Sequence, residues 1–358
     1  MNKKICFFST CFVELKQIRM EQFEKILPKN VEIFLFTFKK YNKYNKQKLK
    51  RTKIIEVKSN SKKDFILQLR DFCKKNKINL LFNLGTPHES FGSLIATAFT
   101  QTDYFINIYS NPIDAPFAYK KFYQKIIPLI KTISLVIPFA FSKKIMCVKD
   151  VGKRIRQTFP FLKHKVKPIS LIMDEKLFRK KNKDAARKKL KLPEKKDILI
   201  FVGRVEYLKG SDFLYSIIKK NPDKLFIIIS KVLDQKFLSS PPPNTLLLDS
   251  ASPQDLSDYY NASDLCLLPS RTEGYGLVSR ESMLCKTPAL VSNIPSLRAI
   301  DNVIKAELNP EDFQKKINWF FSLSQKEKQE LGRISRQGIV KETSFKNLKH
   351  VWRDVLLN

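Results

Sequence analysis

Apolar residues along this chain fall in short runs, each followed by a polar break and then a stretch with helical spacing. Residues 4–9 (KICFFS), 31–38 (VEIFLFTF), 53–58, 78–84 (INLLFNL), 104–109 and 144–148 read as strands. Helical patterns at 14–27, 61–76 and 151–158, and one reaching about Thr100, lie between them. A proline-marked, charge-rich segment from Lys163 to Asp174 interrupts the series, and the pattern then restarts. A helix at 183–190 leads to strand 197–202 (DILIFV), helix 211–220 and strand 224–230. Strand 245–248, helix 253–261, strand 265–268, a helix to Cys285 and a strand from Pro288 follow. Asn309 to Phe321 reads as a helix, and helical patterns then run almost unbroken to Leu357. Such alternation predicts an α/β chain with doubly wound parallel sheets. A chain of 358 residues exceeds the usual single core, so two domains are expected, at 1–168 and 169–340, with a final helix at 341–358.

One stretch concentrates the candidate chemistry. In Asp264–Val291 the buried run Leu265–Leu268 passes through Pro269-Ser270-Arg271-Thr272-Glu273-Gly274-Tyr275-Gly276 into a helix, and a second apolar run follows. In a βαβ unit of this kind, ligands bind where the carboxyl end of a strand meets the next helix, whose free N–H groups favour anionic oxygens. Two carboxylates, Glu273 and Glu281, bracket the turn with seven residues between them. A carboxylate beside anion-binding amides suits a ligand that is part phosphate and part polyhydroxyl. Upstream, Gly203 and Gly210 frame another strand-to-helix turn that carries Arg204 and Lys209, a planar fork and a point charge suited to two phosphates. Taken singly, Arg204 and Lys209 read as surface cations and Glu281 as a solvated helix residue. Together, at the ends of two apolar runs, they read as one site.

These two segments carry a resemblance. S-R-T-E-G-Y-G-L-V-S-R-E-S-M-L-C-K-T-P, with its Glu273-x7-Glu281 spacing, resembles the donor-site signature of retaining glycosyltransferases of the GT-B fold, the GT4-type family. Phe201-Val202-Gly203-Arg204-Val205-Glu206-Tyr207-Leu208-Lys209-Gly210 is similar to that family's second signature. The likeness covers most of 165–358 and only the coarse layout of 1–164. It implies two Rossmann-like domains facing a cleft. The implied reaction moves a hexose from a UDP- or GDP-sugar to a lipid-linked or cell-surface glycan, with retention of configuration. By this resemblance Arg204 and Lys209 hold and stabilise the leaving diphosphate, and Glu273 contacts the transferred sugar. Glu281 binds the ribose hydroxyls, and the amides of Gly274, Tyr275, Gly276 and Leu277, with Gly203, approach sugar and phosphate. No cofactor or metal ion is expected, since the sequence has no D-x-D motif and cations of the protein would neutralise the diphosphate.

The first half departs from the family pattern. Ser9-Thr10-Cys11-Phe12-Val13-Glu14 lacks the usual glycine-rich loop, and Ile106-Asn107-Ile108-Tyr109-Ser110-Asn111 lacks the usual histidine, a place His88 could take. Ser170-Leu171 replaces an N-G, and Asn293-Ile294-Pro295 replaces a G-G. A second reading therefore stands beside the enzyme: a catalytically weak or inactive GT-B relative that serves as a nucleotide- or glycan-binding module.

Charge adds a partner to the picture. Residues 1–169 hold 34 Lys/Arg against 11 Asp/Glu (+23), and residues 170–358 hold 33 against 23 (+10), summing to +33. A basic face implies an anionic partner, here an anionic membrane surface; a lysine-rich composition throughout is the plainer account. Nucleic acid is the less favoured partner, resting on the basic run Lys39–Lys53 with Tyr41 and Tyr44. Residues 117–141 read either as an amphipathic surface leaning into lipid or as a core-packing helix with a lysine edge. Lys131, Pro128 and Pro138 interrupt the stretch Ile126–Phe141, so no membrane-spanning helix is expected, and the start of the chain lacks a signal-peptide pattern. Six scattered cysteines without a C-x-x-C pair suggest reduced thiols. A cytoplasmic protein, peripheral at the inner face of the membrane, is the expectation.

Overall fold

A computed structural model describes residues 3–10, 14–38, 45–59, 61–84, 89–119 and 122–358. His88, Tyr41, Tyr44 and the centre of the glycine-free loop at 11–13 lie outside the described residues. The chain forms two compact units. One comprises Met1–Pro116, Lys121–Ile172 and Phe345–Asn358, the other Phe117–Lys120 and Met173–Ser344.

The first unit is built on β1 (Lys4–Ser9), β2 (Glu32–Phe38), β3 (Thr52–Val57), β4 (Leu80–Asn83), β5 (Asp103–Ile108), β6 (Lys144–Cys147) and β7 (Val166–Pro168). They form one parallel sheet in the order β3-β2-β1-β4-β5-β6-β7, with Ile5 opposite both Ile33 and Leu80. Strands covered on both faces need near-continuous apolar sequence, and Ile5 to Phe8 are fully buried. The final helix, Phe345–Leu357, belongs to this unit. Its Trp352 packs on Phe23 at 5.3 Å and Phe82 at 6.5 Å and donates Nε1–H to the Ser170 carbonyl at 3.0 Å. Leu356 is buried beside it, whereas Val351 turns to solvent. β7 falls in the segment read from sequence as a basic connection: only Val166 is buried, so the apolar pattern is too short to announce a strand.

Helices Phe122–Ser134 and Val136–Phe141 decide between the two readings of that segment. Leu135, Pro138 and Phe139 are buried, and the Tyr104 hydroxyl donates to the Pro138 carbonyl at 2.6 Å. Tyr123, Ile127, Ile130, Ile133 and Ile137 face solvent. The core-packing reading therefore holds for one side only.

The second unit contains β8 (Ile198–Val202), β9 (Leu225–Ile229), β10 (Thr245–Leu248), β11 (Leu265–Leu268), β12 (Ala289–Ser292) and β13 (Ile304–Ala306). The sheet is parallel, ordered β10-β9-β8-β11-β12-β13. Alternate residues feed its two faces: Ile200, Ile227, Cys266 and Val291 meet Tyr260 and Met283 on one side. Leu199, Ile228, Leu267 and Leu290 meet Leu214 and Phe313 on the other. β13, absent from the sequence reading, is three residues long with one of them exposed. From β8 the chain winds outward through β9 and β10, then returns to β11 on the other side of β8. The loops after β8 and β11 thus leave the sheet side by side where the winding reverses, the place where open α/β sheets bind ligands.

Candidate functional site

Three glycines set the backbone of these two loops. Gly203, with φ +142°, leaves β8, and its N–H donates to Ile229 at 3.0 Å. Gly210 has φ +74° and caps the helix Ser211–Lys220; a Cβ there would sit 2.1 Å from the Pro269 carbonyl oxygen. Gly276, at φ +67°, opens the helix Leu277–Leu284 without a side-chain cap. A Cβ at this position would strike Leu297 at 2.6 Å. The helix therefore starts with its first N–H groups unclaimed by a capping side chain.

The loops are tied together by Arg271. Its N–H donates to the Leu208 carbonyl at 2.9 Å, and its guanidinium reaches the Tyr207 carbonyl at 2.7 Å and both Asp212 oxygens at 2.7 Å. The same plane lies over the rings of Tyr207 at 3.8 Å and Phe213 at 4.2 Å. This clamp brings Lys209 and Glu273, 64 positions apart, into an ion pair in which both side chains are largely buried. Ser270 adds a hydroxyl donor to the same Glu273 oxygen at 3.3 Å.

Glu281 lies one turn further into the helix, 7% exposed, and accepts from the Tyr260 hydroxyl at 3.0 Å. Burial pushes its carboxyl up to about 7, against the opposing pull of the Tyr260 hydrogen bond. Arg280 faces the other way. It stacks on the Tyr275 ring at 3.8 Å and pairs with Glu342 at 2.9 Å, and the Tyr275 hydroxyl donates to Glu342 at 2.9 Å. Tyr275 is 4% exposed, so its side chain anchors the loop to the helix Gln325–Thr343.

Of the residues singled out in the sequence, Lys209 and Glu273 come into direct contact, and Gly203, Gly274, Tyr275, Gly276, Leu277 and Glu281 lie on the same two loop–helix junctions. Arg204 stands apart from that ion pair: it is exposed and paired with Glu206 at 2.8 Å. Sequence spacing does not point to Arg271, Asp212, Tyr260, Arg280 and Glu342, because their partners are 21 to 62 positions away. Among the described residues no three His, Cys, Asp or Glu side chains converge as metal ligands would.

Residues 182–338 match the family model described as glycosyl transferases group 1. The match lies within the second unit and covers less than half of the chain. A D-inositol 3-phosphate glycosyltransferase of Thermobispora bispora is 32% identical over 141 residues, 34% of this chain and 33% of that protein. The chain thus spans about a third of the length of the curated D-inositol 3-phosphate glycosyltransferases it matches. Solved structures extend the likeness to the fold of the whole chain. Sucrose-phosphate synthase (tll1590) from Thermosynechococcus elongatus superposes with TM-score 0.81 at 13% identity, covering 99% of each chain. Anabaena Alr3699/HepE in complex with UDP and glucose gives TM-score 0.78 at 12% identity, again over 99% of each. The fold is GT-B, with parallel sheets of seven and six strands.

Proposed function

We infer that this chain is a glycosyltransferase that moves a hexose from a UDP- or GDP-sugar to a hydroxyl of a lipid-linked or cell-surface glycan, keeping the anomeric configuration. The observation that carries this reading is the pairing of Lys209 with Glu273 at the switch point of the second sheet, beside an uncapped helix start that leads into Glu281. Glu281 accepts hydrogen bonds from the ribose diol. Lys209 and the N–H groups that follow Gly276 take the diphosphate, and Glu273 takes the sugar hydroxyls once Lys209 turns to phosphate. In the transfer, the bond from the anomeric carbon to the phosphate oxygen breaks and its electron pair leaves with the nucleoside diphosphate. A new bond forms to the acceptor oxygen, whose proton passes to the departing phosphate. Lys209 and the helix start stabilise that growing negative charge. The complex of Anabaena Alr3699/HepE with UDP and glucose supports the donor class, and retention rests on the family resemblance. The basic first half supports an anionic acceptor or its lipid carrier, and buried free thiols at Cys6, Cys73, Cys147, Cys266 and Cys285 support a reducing, cytoplasmic setting.

The test is donor turnover. Purified protein is incubated with a panel of UDP- and GDP-sugars, with and without glycan acceptors, and released nucleoside diphosphate is measured. Release from one donor, lost in Lys209→Ala and Glu281→Gln, supports the reading. Nucleotide binding without release from any donor–acceptor pair supports instead the binding module without turnover. Absence of nucleotide binding overturns both.

A further inference from the structure

The first unit carries an apolar surface that its own core does not use. Along the helix Phe122–Ser134, Tyr123, Ile126, Ile127, Ile130 and Ile133 recur at spacings of three and four, and all are exposed, with Ile127 at 63% and Ile130 at 61%. The opposite side is the fixed one: the Thr132 hydroxyl donates to the Pro112 carbonyl at 2.6 Å. Thr132 is the one buried residue among 123–134, and Gln124, Leu129 and Lys131 are exposed along with the stripe. The stripe continues through Ile137 to Phe141 in the next helix.

At its end the stripe meets the edge of the sheet where the strands begin. The segments that enter the neighbouring strands β5, β6 and β7 each present an exposed phenylalanine: Phe99 at 97%, Phe141 at 70% and Phe161 at 57%. Phe99 also holds φ +59°, a left-handed backbone unfavourable for a bulky side chain, and its exposed ring returns nothing to the core. The segments that enter β6 and β7 also carry Lys143, Lys144, Lys163 and Lys167, and Lys3 precedes β1. Four of them lie close together: burial and the neighbouring charges of Lys167, Lys143 and Lys3 hold the Lys144 ammonium below the ordinary lysine range. Lys143 has a carboxylate partner in Asp103 at 2.6 Å. Basic charge packed this closely beside exposed rings fits a surface rich in fixed anions.

We propose that the stripe Tyr123–Phe141 and the phenylalanine–lysine edge formed by Phe99, Phe141 and Phe161 dock this protein onto an anionic lipid bilayer. The rings and isoleucines enter the headgroup–acyl boundary, and the lysines lie over the phosphates. The stretch Tyr123–Phe141 is 19 residues long and, by length and composition alone, apolar enough to cross a bilayer. Its buried side and the Tyr104 and Thr132 hydrogen bonds fix it to the sheet, so it lies on the membrane rather than through it. The charge of this face favours lipid over a second copy of the chain, because two copies would bring the crowded lysines face to face.

The full chain is sedimented with phosphatidylglycerol-rich vesicles and with phosphatidylcholine vesicles, at low and high salt. Strong binding to the anionic vesicles alone, reversed by salt, is expected. The triple variant Ile127→Ser/Ile130→Ser/Ile133→Ser alters only exposed positions and is expected to bind ~10-fold less. Phe99→Asn, which suits a left-handed backbone, is expected to raise the thermal midpoint while lowering the bound fraction. The proposal fails if both variants sediment like the parent, or if the parent binds neutral vesicles equally well. Protein that resists both salt and carbonate washing has inserted across the bilayer, which overturns the surface geometry. Absence of vesicle binding, with a dimer that the triple variant converts to monomer, assigns the face to self-association and overturns the proposal as well.

Discussion

Lys209 and Glu273 neutralise each other across the two loops at the switch point of the second sheet, both largely shielded from solvent. A diphosphate that takes Lys209 must separate this pair, and Glu273 is then free for sugar hydroxyls. The pair therefore opposes binding of a bare nucleotide and is compensated only by a donor that carries both groups. Lys209→Ala should weaken nucleoside diphosphate binding by about 2 kcal/mol, the scale of a hydrogen bond to a charged group. Glu273→Gln should do the reverse: it releases Lys209, so UDP or GDP should bind roughly 3-fold tighter while sugar transfer falls on the order of 100-fold. Calorimetric titration together with turnover measures both, and weaker nucleotide binding in Glu273→Gln would show that the pair is scaffold rather than site.

Glu281 makes the site depend on pH. Its carboxyl titrates near 7 in the folded chain against an ordinary value of 4.5, since burial disfavours the charge. The groups around it are weak acids that burial also raises: Tyr260, and Cys266 and Cys285, both pushed up to about 12. Between pH 4.5 and 7 the folded chain holds more protons than the unfolded one, so this residue's contribution to stability is full below 4.5 and is lost as pH rises to 7. The span of 7 − 4.5 is 2.5 units, on the order of 3 kcal/mol. Glu281→Gln should therefore raise the unfolding midpoint at pH 8 and leave it little changed near pH 4.5. Ribose hydroxyls donate best to the ionised form. Nucleotide affinity should fall as pH drops below 7 in the parent and stay flat in Glu281→Gln, as titrations across pH would reveal.

How far the site was legible follows from where its partners lie. The runs that became β8 and β11 and the positions of Gly203, Gly210 and Gly276 could be read because turn chemistry is local: each glycine lies within eight residues of the end of its strand. That Lys209 would meet Glu273 could not, since the strand order β9-β8-β11 that joins them is a property of the folded sheet. The same holds for Glu342, which reads as one more polar residue of a long helix until that helix packs beneath Tyr275. In the first unit, the stripe from Tyr123 had the right period for a helix, but periodicity does not say whether its apolar side meets protein or solvent.

Arg271 supplies a prediction about scaffold rather than chemistry. Its guanidinium is 6% exposed and satisfies Asp212 through two parallel bonds while lying between Tyr207 and Phe213. A lysine can replace the charge but neither the fork nor the stacking plane. Arg271→Lys should cost about 2 kcal/mol of stability and raise the KM for donor more than it lowers kcat, because the loops drift apart before chemistry begins. Thermal unfolding and steady-state kinetics together check this. A change in kcat alone would place Arg271 on the reacting atoms.

Gly210 tests whether the two loops act as one structure. Its backbone is left-handed, and an added Cβ would lie 2.1 Å from the Pro269 carbonyl oxygen, a backbone atom that cannot swing aside as a side chain can. Gly210→Ala must either push the loop after β11 away or unwind the first turn of the helix Ser211–Lys220. The backbone strain alone is about 1–2 kcal/mol, and the clash adds to it. Either movement separates Lys209 from Glu273. The expected outcome is a chain that keeps its overall circular dichroism, loses several degrees in thermal midpoint and no longer binds nucleoside diphosphate. If the variant binds nucleotide like the parent, the close approach of Gly210 to Pro269 is incidental, and the loop after β8 would have to hold the diphosphate without the loop after β11.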